Sequence, residues 1–187
     1  MDTSQITSVL LILGTMLIYI GFGAFPWRIY TEKSVQEKLN LLAAHPRLWI
    51  VTQSFVILGG LTVLAGTILL IPVMRGNPGT LLTTIGAVGF IVGHVFWIWH
   101  VGLRASRPQA FANNELPGGL FGIYSIFTLL ALMCFGAAFW LLGSHRLLGI
   151  GIFLGALLTL GLFLKFKDML PAVYYSMTLV VGLALLF

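Results

Sequence analysis

The sequence predicts an all-α fold, a polytopic membrane helix bundle with about six transmembrane helices in one domain over residues 1–187. Three observations carry this expectation. Hydrophobic residues make up 59% of the chain and charged residues only 8%, against about 25% charged in an ordinary soluble domain. The apolar residues fall in unbroken runs of 18 residues or more, close to the roughly 20 that a helix needs to cross a hydrocarbon core about 30 Å thick. Charged side chains gather between the runs, where headgroups and water solvate them. Strands of a membrane barrel would alternate apolar and polar over about ten residues, and these runs do not.

The runs cover residues 5–25, 48–73, 79–103, 118–142, 147–166 and 170–187. Only Asp2 among charged residues precedes the first run. A secretory leader has a basic start and a shorter apolar stretch, so this run reads as a membrane helix. Pro26-Trp27-Arg28 closes it, and the polar stretch that follows holds a candidate interfacial helix over 32–42. Arg75-Gly76-Asn77-Pro78-Gly79 and Gly143-Ser144-His145-Arg146 are tight turns, and residues 106–117 form a connector with two prolines. Lys165-Phe166-Lys167-Asp168 leads to Pro171, which suits a helix's first turn. The sixth run, with 18 residues, is the shortest.

Basic residues orient the bundle. Arg28, Lys33, Lys38, Arg47, Arg104, Arg107, Lys165 and Lys167 occupy the odd-numbered connections, whereas Arg75 and Arg146 occupy the even ones. Basic loops stay in the cytoplasm, so both termini are expected to be non-cytoplasmic, in a plasma or bacterial inner membrane. Trp27, Trp49, Trp97, Trp99 and Tyr30 lie near the cytoplasmic ends, where an aromatic belt is expected.

Several function classes recede on composition. The net charge of +5 comes from ten Lys and Arg spread over the whole chain, which is not the clustered patch of a nucleic-acid binder. The single cysteine, Cys134, lies in an apolar run and reads as packing. No nucleophile elbow, zinc-protease helix, P-loop or dinucleotide fingerprint is present, so nothing argues for an enzyme. No Asp, Glu, Lys or Arg lies well inside a predicted span, which speaks against ion-coupled transport. The glycine pairs Gly89/Gly93, Gly118/Gly122 and Gly151/Gly155 have the four-residue spacing of close helix contacts. They suggest packing within the chain or, more sharply, a homo-oligomer or larger membrane complex.

One histidine stands out. Counting back from Leu103 at about 1.5 Å per residue places His94 about 13 Å deep, where an imidazole needs a partner. His45 and His100 share a depth on antiparallel neighbours and could meet at the membrane surface, where they read as interfacial histidines rather than as a metal site. Around His94, five helices supply Tyr19, Gln53, Ser54, Trp97, Tyr124, Ser125, Tyr174, Tyr175 and Ser176, all in the cytoplasmic half. An apolar wall with a few convergent polar groups is what a ligand pocket requires. The leading expectation is therefore a non-enzymatic membrane protein. It binds a small apolar ligand or membrane lipid through His94, Gln53, Ser54, Trp97, Tyr124, Ser125, Tyr174 and Tyr175, or serves as a subunit of an assembly. An alternative is electron transfer by one b-type haem on His94, with Met16 or Met177 at matching depth as the second axial ligand. A small transporter or channel is a third reading, disfavoured by the apolar outer half.

Overall fold

The computed structural model describes every residue except Trp27, Ser144, Asp168 and Phe187. Expectations that fall on those four, including Trp27 in the aromatic belt and the last residue of the sixth run, lie outside the described residues. Among the described residues the chain forms helices and no strands. The helices are α1 (Thr3–Gly23), α2 (Arg28–Thr31), α3 (Val35–Ala44), α4 (Pro46–Val73), α5 (Thr80–Ser106), α6 (Pro108–Ala112), α7 (Gly118–Leu142), α8 (Arg146–Phe166) and α9 (Ala172–Ala184). Five of them, α1, α4, α5, α7 and α8, are long and apolar enough to cross a membrane. The chain is a multi-pass membrane protein.

The sixth run departs from expectation. Its helix, α9, has 13 residues and a length of about 20 Å, short of a hydrocarbon core of about 30 Å. Pro171 sets its start, and its last turns end at Ala184. A seam of hydrogen bonds holds it to α1. Ser8 donates to the Gly182 carbonyl at 2.6 Å, Thr15 and Thr178 share a bond of 3.1 Å, and Tyr19 meets Ser176 at 2.8 Å. Such bonds between helices replace the hydrophobic force that lipid does not supply.

The long helices form a ring in chain order. Each packs on the one before it: α4 on α1, α5 on α4, α7 on α5 and α8 on α7. The ring closes through α9, which touches α1, α7 and α8. The connections α1–α4, α5–α7 and α8–α9 lie at one end, called here the basic face, since it carries the eight cations that the sequence grouped together. There the expected interfacial helix over 32–42 is α3, capped by the Ser34 side chain and preceded by the single turn of α2. The connector 106–117 also contains a short helix, α6. Phe25, Ile29, Leu42, Trp49 and Ala112 form a small second core beneath these pieces.

Glycines bring α1 to α4 and α5 to α7 at seven-residue rather than four-residue spacing, and the single pair Gly136 and Gly149 joins α7 to α8. Gly14 on α1 meets Gly59 on α4, while Gly21 lies against Thr52 and Val56 of α4 and Gly66 lies against Leu10 and Leu11 of α1. A Cβ on Gly59 would lie 2.6 Å from the Gly14 carbonyl oxygen. On α5, Gly86 and Gly93 meet α7 in the same way. Of the expected pairs only Gly93 is this close. Gly89 makes ordinary contact, Gly155 touches Met177, and Gly118, Gly122 and Gly151 have open space. Two helices that cross at about 20° present one residue per heptad at each contact layer, which accounts for the longer interval.

Gly59→Leu is expected to force α1 and α4 apart and to cost about 1–3 kcal/mol, the usual range for overpacking. Gly151→Leu, into open space, is expected to change little. Thermal unfolding of the two variants in detergent measures the contrast, and equal losses would remove the seven-residue account.

Candidate functional site

One face of α5 organises the interior. Phe90, His94, Trp97, Val101 and Arg104 are all buried and, at about 100° per residue, fall within roughly an 80° arc. The stripe runs from mid-helix to the basic face. Extending α5 to Ser106, three residues beyond the expected end, makes Arg104 a helix residue rather than a loop residue.

His94 is fully enclosed. Its ring stacks on Phe90 at 4.0 Å and meets Tyr124 and Tyr175 edge-on at 5.8 and 5.9 Å. Nδ1 lies 3.1 Å from the Phe90 carbonyl oxygen, and Nε2 lies 3.1 Å from the Tyr175 hydroxyl. A carbonyl only accepts, so Nδ1 carries the proton. Nε2 must then accept from the Tyr175 O–H. Both ring nitrogens of a neutral imidazole are satisfied this way, which is the requirement for burying it.

Above His94, toward the basic face, the aromatic column continues. Trp97 stacks on Tyr124 at 4.5 Å, and His100 stacks on Trp97 at 6.0 Å. The column opens into a cavity of about 410 Å³. Its walls come from α1, α2, α3, α5, α6, α7 and the approach to α9, and they include Phe22, Tyr30, Lys38, Trp97, His100, Arg104, Phe111, Phe121 and Met169. Arg104 anchors the wall: the Trp49 indole N–H donates to its carbonyl oxygen at 3.0 Å. The Arg104 guanidinium lies 4.7, 5.1 and 5.5 Å from the ring centres of Phe111, Tyr30 and Trp49, an aromatic cage of the kind that holds cations.

The outer wall is pinned by charge. Arg28 bonds both Glu32, at 2.9 Å, and Glu37, tying α2 to α3. The Ser34 backbone N–H, then the Glu37 carboxyl and Arg28, hold the Glu32 carboxyl down to about 2. Ionised Glu32 therefore supports this elbow above its ordinary pKa of 4.5, and the support is lost as pH falls toward about 2.

The expected site residues divide into three groups. His94, Tyr124, Tyr174, Tyr175 and Trp97 do converge in one cluster, and Trp97 lines the cavity. Gln53 and Ser125 are fully buried, and their polar side-chain atoms make no hydrogen bond among the described residues. Ser54 is a correction: it is exposed on the outer surface of α4 and donates to its own helix at the Ile50 carbonyl. Tyr19 and Ser176 likewise bond one another in the α1–α9 seam. Met16 is half-exposed on α1, and Met177 packs against Gly155 of α8. Met16 therefore lies outside the His94 cluster, Met177 packs against the core that holds Tyr174 and Tyr175, and iron on His94 would have to displace the Tyr175 hydroxyl. His45 packs on Phe25 while His100 packs on Trp97 and Phe121, so the two sit in different aromatic clusters. Of the aromatic belt, Trp99 faces outward, but Trp49 and Trp97 are internal.

Arg104, Lys38 and Phe111 were absent from the expected site. Arg104 was legible in principle, since it continues the stripe three residues past Val101 and seven past Trp97. Lys38 and Phe111 come from short helices on separate connections, and no periodicity links them to α5.

Two outcomes follow from the geometry. Tyr175→Phe leaves His94 Nε2 without its donor and is expected to cost about 1–2 kcal/mol in a detergent melt; an unchanged melt would contradict the bond. The protection of α2–α3 amides from hydrogen exchange is expected to be lower in Glu32→Gln than in the wild type near neutral pH. That difference should close as pH falls from 4.5 toward about 2, and a difference that persists at low pH would exclude Glu32 as the cause.

Comparison with protein-family models, curated proteins and solved structures gives no match.

Proposed function

We propose that this membrane protein is a non-enzymatic binder of a small amphipathic ligand or lipid, held in the cavity at its basic face. The single observation that carries the reading is that cavity of about 410 Å³, large enough for a small molecule or a lipid headgroup with the first part of its tails. Aromatic and aliphatic side chains supply most of its wall, and a few polar groups converge within it. By the distribution of basic residues this end is the cytoplasmic one, so the ligand enters from the cytoplasmic leaflet or the adjoining solution. The deeper His94–Tyr175–Tyr124 cluster is closely packed and acts as the floor. A hydrogen-bonded floor keeps the helices in one arrangement whether or not the cavity is filled.

Native mass spectrometry of detergent-purified protein tests this. The wild type is expected to retain a small molecule or lipid. Thr31→Trp, at the cavity wall, is expected to lower that retention about tenfold, equivalent to about 1.4 kcal/mol of binding, with helix content unchanged by circular dichroism. Wild-type protein that carries nothing, and takes up nothing from a membrane lipid extract, would end the proposal.

A further inference from the structure

We propose that the cavity recognises an anion, and that a phosphate group sits between Arg104 and Lys38. This rests on the ligand-binding reading and adds the chemistry of the ligand. Arg104 is 5% exposed and Lys38 is 8% exposed, and the Arg104 Nε and Nη2 atoms are themselves buried. They approach the same ring: the Lys38 ammonium lies 5.8 Å from the centre of Phe111, and the Arg104 guanidinium lies 4.7 Å from it.

A buried guanidinium with an ammonium beside the same ring requires compensation, and the described acidic residues are engaged elsewhere. The chain has five. Asp2 caps the start of α1 at the opposite end of the bundle. Glu32 and Glu37 both bond Arg28, and Glu115 accepts from Asn113. The fifth, Asp168, lies outside the described residues. Aromatic faces stabilise a cation but neutralise none of its charge.

The geometry of Arg104 selects the class of anion. Its Nε and Nη2 are buried and make no hydrogen bond among the described residues. Those two atoms form the side edge of the guanidinium, the fork that donates two parallel bonds to one phosphate or carboxylate. His100 adds a third unpaired buried nitrogen, Nδ1, on the same cavity. Lys38 contributes charge without directional demand. Met169 and Leu170 complete the wall with apolar surface, which suits the carbon chain of a phospholipid. The phosphate comes either from a lipid headgroup or from solution, and the chemistry at Arg104 is the same.

The test uses the full chain in phosphatidylcholine nanodiscs, with phosphatidylglycerol added in one arm and inorganic phosphate in the other. Native mass spectrometry reads lipid retention, and the melting temperature reads free phosphate. Wild-type protein is expected to enrich phosphatidylglycerol over phosphatidylcholine by about tenfold, and Arg104→Gln and Lys38→Gln each to remove most of that preference. Arg104→Lys keeps the charge but loses the fork and is expected to fall between. A melting-temperature rise with inorganic phosphate alone, lost in the same variants, assigns the source to solution. Lys38→Gln alters only the short helix α3, so it decides the matter should Arg104→Gln fail to fold. Neutral lipid held equally by wild type and both variants would overturn the anion assignment and leave the ligand-binding reading standing. An empty cavity in every arm would overturn both.

Discussion

Within a bilayer there is no water to bond a peptide N–H or C=O, and every such group must find its partner inside the protein. Long helices satisfy that demand along each span, and the five spanning-length helices here are the direct result. The same rule extends to side chains. Threonines and serines along α4, α5 and α8 bond carbonyls one turn back, as Thr62, Thr83 and Thr159 do. His94 solves a harder version of the problem, because an imidazole has two nitrogens to satisfy and its own helix can reach only one. Tyr175 from α9 supplies the other bond. The short last helix is thereby tied to the centre of the bundle as well as to the α1 seam.

Lipid provides no hydrophobic pressure between helices, so association depends on close contact. The seven-residue glycine pattern supplies it at α1–α4 and α5–α7, where backbones approach with no side chain between them. Elsewhere on the same helices large aromatic rings take the space. Near the basic end Phe22, Trp97, Phe121 and Tyr124 pack ring against ring, and the first three line the cavity. Close glycine contacts and ring contacts therefore alternate along the same helices, with Gly21 packed on α4 beside Phe22 of the cavity wall.

Arg104 shows how a charged residue is accommodated at such a boundary. Its backbone belongs to a membrane-length helix, while its guanidinium is turned into an aromatic cage rather than out to solvent. Arginine tolerates such a setting better than lysine, being flat and weakly hydrated. The elbow of α2 and α3, stapled by Arg28, brings Lys38 and Tyr30 to the same place. Residues from four separate connections and helix ends thus meet at one point of the basic face.

Much of the fold was readable from local composition. The cost of moving a side chain into hydrocarbon is set largely by that residue, so sums over a window locate spans without knowledge of neighbours. The five long helices, the grouping of eight basic residues at one end and the depth of His94 all follow from that local property. What composition does not contain is rotation about each helix axis and the length of the final helix. Those are decided when the helices pack, and they separate inward Trp97 and Tyr124 from outward Ser54 and Met16. They also determine which glycines touch. A shift of three residues in the end of α5 turned Arg104 from a loop cation into the wall of a cavity. Only the assembled tertiary structure decides such a change, because it depends on α2, α3 and α6 folding over the helix end and supplying the rings that bury the charge.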